Sequence, residues 1–167
     1  RDLARVIQSA GQAAAPRVRN VREILADPNV RIASLTMAIA QVVMVMLMVI
    51  TSLHMSHHHH PLSSIAAVMS SHVFGMYAFS VVSGRFADKW GRGPLIGVGA
   101  LVLVVSCLTA TLSTEVAPLG FALFLLGLGW NFCYVGGSTL LSDCLSQAER
   151  ARIQSINDFV LTTLAGT

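Results

Sequence analysis

The sequence predicts an all-α membrane protein, an antiparallel bundle of transmembrane helices. Three observations predict it. Only 11% of the 167 residues are charged and 54% are hydrophobic, against about 25% charged in a soluble globular domain. Four runs, Ile32–Leu53, Leu62–Val82, Leu95–Leu112 and Leu119–Leu141, contain no Lys, Arg, Asp or Glu, and each fits the span of about 17–25 apolar residues that crosses a bilayer as a helix. All 11 Lys and Arg residues fall in alternate segments between these runs, the pattern expected when basic loops stay on one side of a membrane.

Residues 1–31 hold six of the basic residues, Arg1, Arg5, Arg17, Arg19, Arg22 and Arg31, so this segment is placed in the cytoplasm. It lacks the apolar core and cleavage site of a signal peptide, and none is expected in it. Val21–Leu25 before Asp27-Pro28 reads as a short interfacial helix stopped by proline, and residues 1–15 as a second, weaker amphipathic piece. Five membrane helices are expected to follow, at approximately 32–54, 62–83, 95–113, 118–141 and 147–167. The chain starts without Met and stops inside an apolar run, and is expected to be a piece of a longer polypeptide. Cys107, Cys133 and Cys144 read as small buried thiols, not a disulfide framework.

The first helix puts Met37, Gln41, Met44, Met48 and Thr51 on one face, a packing surface or an adaptable wall for apolar ligands. Gln41 is its buried polar group and a candidate for a solute path. The connector Met55–Pro61 lies outside and carries the histidine run. A metal site, a plain loop and a cloning tag are the three readings. The run is internal, short and followed by Pro61, which argues against a tag. Adjacent histidines on one loop rarely converge on one ion, so no metal site is assigned; His57, His58, His59 and His60 remain weak candidates. In the second helix His72 shares a face with Gly75 and Phe79, as a structural histidine or a proton shuttle.

The fourth helix has two faces at helical spacing. Gly129, Cys133 and Gly136 suit close packing against another helix. Gly127, Asn131, Tyr134 and Ser138 form the polar face, which is expected to line a water-filled cavity or to hydrogen-bond a neighbour. The fifth helix opens with Ser146 and Glu149 in the capping-box pattern. Asp158 lies about 16 Å along that helix at 1.5 Å per residue. An intramembrane carboxylate is costly and suggests a proton relay, a cation site or a substrate partner; the alternative is a structural pairing.

The most specific stretch is the inside connector, Gly84 to Leu95. Asp88 ends a helix, where the macrodipole disfavours it, so it needs a partner: Lys89, Arg92, or the N-terminus of the helix that opens at Ser146. Gly91 and Gly93 permit a tight reversal before Pro94. Gly84, Asp88, Lys89, Gly91 and Arg92 resemble the signature loop of the major facilitator superfamily, with Gly93 where a second basic residue is usual. "LLGLGWNFCYVGGSTLLSD" and "RARIQSINDF" are similar to the tenth and eleventh helices of bacterial permeases of that superfamily.

The resemblance implies part of a six-helix half, helices seven to eleven of twelve, preceded by the cytoplasmic linker. It implies a secondary active transporter that moves a small solute by alternating access, with protons as a candidate coupling ion and the N-terminal half of the same chain as partner. Asp88 would latch the helix starting near Ser146, with Arg92 in the same charge network. Asp158, Asn131, Gln41, His72 and Tyr134 are the candidates for the solute or proton path. The expected location is the bacterial cytoplasmic (inner) membrane. No cofactor and no nucleic-acid partner are expected. No enzyme is expected either, since neither a His-Glu-x-x-His helix nor a Gly-x-Ser-x-Gly elbow occurs. The competing reading is a membrane metal-binding or sensing module built on the His/Met-rich outer stretch.

Overall fold

The computed structural model describes residues 19–166, and among them every regular element is helical. The helices are α1 (Val21–Ala26), α2 (Pro28–His57), α3 (Leu62–Ala78), α4 (Ser80–Trp90), α5 (Arg92–Ala110), α6 (Val116–Cys144) and α7 (Gln147–Gly166). The amphipathic piece expected within residues 1–15 lies outside the described residues.

Local chemistry explains the start. Asn20 and Glu23 cap α1 reciprocally, and Asp27 accepts from the Asn29 N–H at 2.9 Å with Pro28 opening α2. Proline needs no partner for a missing N–H in the first turn. Proline thus ends α1 and begins α2 within two residues, so α2 starts at 28, four residues before the apolar run. At 30 residues α2 is about 45 Å long, which exceeds a hydrocarbon core of about 30 Å. Its ends therefore stand in the headgroup regions.

Helices α2, α5 and α6 are long and apolar enough to cross a membrane, and α3 with α4 makes a fourth crossing if taken as one span bent by 41°. Helix α7 does not reach that standard: Glu149, Arg150, Arg152 and Asp158 dilute its apolar content.

Two connectors are shorter than the charge pattern suggests. Residues 83–94 were expected to form a loop, yet α4 continues to Trp90 and the reversal rests on Gly91 alone, at φ 92. That conformation favours glycine. The helix persists because Ser83 and Ala87, one turn apart, are both buried. Likewise α6 runs on to Cys144, leaving only Leu145 and Ser146 before α7.

Helix α6 is the centre of the bundle and packs on α2, α3 and α5. Glycines set each approach. On the α5 side, a Cβ at Gly99 would meet the Cys133 backbone N at 2.9 Å, and one at Gly129 the Leu103 N at 2.9 Å. On the α3 side, Gly75 abuts the Phe124 carbonyl and Gly127 the His72 carbonyl. On the α2 side, Gly137 faces Met37 and the Ala33 carbonyl. Short side chains complete the contacts by donating across helices. Ser106 Oγ donates to Ala122 O at 2.8 Å and Ser71 Oγ to Gly120 O at 2.8 Å. Small residues and such cross-helix bonds are what hold helices together in lipid.

The apolar core falls into two clusters. One, toward the histidine turn, includes Met44, Met55, Val68, Leu103, Leu119 and Leu126. The other, toward the Gly91 turn, includes Ile24, Val30, Met37, Leu141, Leu145 and Ile153.

Gly127→Val should force α3 off α6 and cost about 1–3 kcal/mol, the usual range for overpacking, read as a lower Tm in detergent. Gly97→Ala, which has open space around the added methyl, should leave Tm unchanged or raise it, since alanine favours a helix over glycine.

Candidate functional site

Three groups of polar residues stand at three depths of the bundle: a charged cluster at the end that holds the Gly91 turn, an aromatic–amide cluster at mid-depth, and the histidine turn at the opposite end.

At the end that holds the Gly91 turn, Arg92 Nε lies 2.8 Å from Asp143 Oδ2, within ion-pair distance though without the alignment of a hydrogen bond. Arg92 Nη1 donates to Ala87 O at 3.1 Å. Asp88 is 3.9 Å from Arg92, and its side chain is 77% exposed. An exposed pair of that length contributes about 0–1 kcal/mol. The expected contact between Asp88 and the helix opening at Ser146 is not made. Arg92 instead ties the loop to Asp143 at the end of α6, because α6 extends far enough to present that carboxylate. Gly84 and Gly93 have open space around them, Gly91 makes the turn, and Lys89 is exposed without an ion pair among the described residues.

The start of α7 is occupied by another pair. Arg19 grips Glu149: its Nε donates to Oε1 at 3.0 Å, its Nη2 to Oε2 at 3.1 Å, and its backbone N–H to Oε1 at 2.9 Å. Arg19 Nη2 also donates to Cys144 O at 2.9 Å. Glu149 accepts from the Ser146 N–H at 2.9 Å, the half of the capping box in which the N3 side chain reaches back. The Arg19 guanidinium, followed by the Ser146 and Arg19 N–H groups, holds the Glu149 carboxyl well below the usual carboxylate range. The charge count marked Arg19 only as a cytoplasmic residue; nothing in the local sequence links it to a position 130 residues away.

At mid-depth, Trp130 Nε1 donates to Gln41 Oε1 at 3.0 Å, and the Trp130 and Tyr134 rings stack with centroids 4.8 Å apart and planes 13° from parallel. Gln41 and Trp130 sit near the middle of two helices of 30 and 29 residues. Trp130 packs against the outer core cluster and Tyr134 against the inner one. All three side chains are half-buried, so the stack presents an open edge. Asp158 on α7 is exposed.

The polar face expected of α6 divides. Tyr134 joins the open stack, but Gly127 packs on α3 and Asn131 is buried against the α3–α4 break. Asn131 Nδ2 donates to Met76 O at 2.7 Å and to Ser80 Oγ at 3.1 Å, and Ser83 Oγ donates to Asn131 Oδ1. An amide side chain that captures a carbonyl of the helical ladder is a sufficient cause of a kink. Asn131 therefore belongs to the bend in the second span, not to the open face. His72 is also away from that face: it is 1% exposed, with Nδ1 3.2 Å from Leu123 O in the α3–α6 contact.

At the opposite end, α2 continues through His57, His58 is its C-cap, and His59 takes φ 57. His60 Nε2 meets Thr114 O at 3.0 Å, joining the two outer connectors. A cavity of about 630 Å³ opens beside this turn, lined by Thr51, His54, Thr114 and Glu115 among others. Among the described residues, no three His, Cys, Asp or Glu side chains converge as metal ligands.

The sequence profile described as Major Facilitator Superfamily matches residues 32–165. The uncharacterized MFS-type transporter YdeG of Bacillus subtilis is 34% identical over 98% of this chain and 39% of its own length. A second protein of that organism, the uncharacterized MFS-type transporter YddS, is 35% identical over 83% of this chain and 32% of its own. The riboflavin transporter RfnT of Brucella anthropi is 28% identical over 86% of this chain and 36% of its own. The chain thus spans between a third and two fifths of the length of these relatives. No solved structure matches it.

Glu149→Gln should lower Tm at neutral pH by loosening the start of α7. The carboxyl's folded pKa lies below its unfolded value of about 4.3. Its stabilisation is therefore complete above that value and fades as the pH falls through it toward the folded pKa. The Tm gap between the wild type and Glu149→Gln should narrow below about pH 4, as followed by thermal melts across pH.

Proposed function

The chain belongs to the major facilitator superfamily, and we propose that it works as part of a secondary active transporter moving a small organic solute across the bacterial cytoplasmic membrane by alternating access. It is an integral membrane protein by its long apolar helices and its family. The observation that carries the proposal is the Gln41–Trp130–Tyr134 cluster, placed halfway along two crossing helices and open on one edge. Transporters of this kind bind their solute near the bilayer midplane, where two halves meet.

The chemistry of the cluster suits a planar, partly polar solute. A half-exposed indole stacked on a phenol offers an aromatic wall. The Gln41 amide, already accepting from the indole, has its own N–H groups to donate. That a relative is named a riboflavin transporter agrees with a flat heteroaromatic solute. Asp158, exposed on α7, is the group proposed to couple solute movement to protons. A carboxylate at that depth is costly unless it has a partner or a proton. The Arg92–Asp143 contact joins the start of α5 to the end of α6, and its release would accompany the rocking of the two halves.

The test is uptake and efflux profiling of the full-length protein with and without a proton gradient, using planar heteroaromatic solutes first. Trp130→Ala should raise KM about tenfold, equivalent to about 1.4 kcal/mol of lost contact, while leaving expression and helicity intact. Asp158→Asn should remove the dependence on the gradient. An unchanged KM in the first variant would take the stack off the path; gradient-driven uptake surviving in the second would reject Asp158 as the coupling group.

A further inference from the structure

The histidine run divides into residues with different tasks. His60 is committed to the Thr114 carbonyl at 3.0 Å. His59 lies past the helix end, in a left-handed conformation. His54 and His58 are one helical turn apart, the last full turn of α2 and its C-cap, and their rings are 4.5 Å apart between centroids at 58°. Residues four apart share a helix face, and two histidines so spaced form the metal-binding pair of helical zinc sites. At this separation both rings can turn a nitrogen toward one ion at the usual zinc–nitrogen distance of about 2.0–2.1 Å.

We propose that His54 and His58 form a two-histidine site for a divalent transition-metal ion of the zinc class at the outer mouth of the bundle. Imidazole suits zinc, copper and nickel over magnesium or calcium. The surroundings favour a cation. His54 lines the water-accessible cavity of about 630 Å³, and Glu115 is the acidic residue on the same lining. The Glu115 carboxylate has no ion pair among the described residues. With no third ligand converging among the described residues, water from the cavity fills the remaining positions. The ion would clip the C-cap onto the preceding turn of α2. His60 would then carry that stiffening to the α5–α6 connector through Thr114. The site is independent of the transport reading and concerns the outer connector alone.

The experiment is calorimetric titration of zinc chloride into the detergent-solubilised protein, prepared without an affinity tag. The wild type should bind one zinc per chain saturably. His54→Ala and His58→Ala should each weaken binding by at least about tenfold, since two linked ligands bind far more tightly than either alone. His57→Ala and His59→Ala, which remove neighbours of the pair, should leave affinity unchanged. His58 is exposed, so its variant keeps the test valid if His54→Ala folds poorly; circular dichroism checks that each remains helical. Two results would overturn the proposal: no saturable zinc binding by the wild type, or equal weakening by His57→Ala and His59→Ala, which would assign binding to the run as a whole.

Discussion

The backbone of α6 lies almost against the backbones of its neighbours, and the rest of the bundle depends on that closeness. In a bilayer, burying apolar surface between helices gains little, because lipid tails are as apolar as leucine. Cohesion must come from close van der Waals contact, and contact of this kind needs positions without a side chain. Gly75 and Gly127 meet across one contact, Gly99 and Gly129 across another, and Gly137 admits Met37 from a third direction. With the backbones this near, short side chains can reach across. The serine bonds from Ser71 to Gly120 and from Ser106 to Ala122 are possible only because the helices have already approached.

The same closeness decides where the polar residues go. Asn131 and His72 lie in the α3–α6 contact, where only the protein can offer a partner; His72 Nδ1 meets Leu123 O, while its buried Nε2 has no hydrogen-bond partner among the described residues. Asn131 finds three, and in taking the Met76 carbonyl it bends the second span at Phe79. Gln41, Trp130 and Tyr134 lie between α2 and α6, half-buried, with an edge left uncovered. Helical periodicity alone places Asn131 and Tyr134 on the same face. Three residues, however, turn a helix by about 300°, and with helices packed on three sides that rotation separates a buried clasp from an open surface.

Much of the architecture was legible in the sequence. The uncharged runs and the alternation of basic residues report on solvation, a property each residue carries alone. The family was legible because Gly84, Asp88, Lys89, Gly91 and Arg92 sit together in nine consecutive positions, and the superfamily profile and relatives agree with that reading. Helix ends were less legible. Residues 83–90 are as polar as a loop, yet stay helical because Ser83 and Ala87 are covered by other elements. Long-range pairings were the least legible. Arg92 with Asp143 and Arg19 with Glu149 join residues whose local sequence holds no hint of the partner.

The Arg19–Glu149 clasp has a mechanical meaning. Arg19 stands just ahead of the first described helix, and Glu149 in the first turn of the last described one. Two side-chain bonds, a backbone bond and a fourth to the Cys144 carbonyl fasten them. The start of α1 is thereby pinned to the elbow between α6 and α7, so a force on Arg19 is delivered as torque at that elbow.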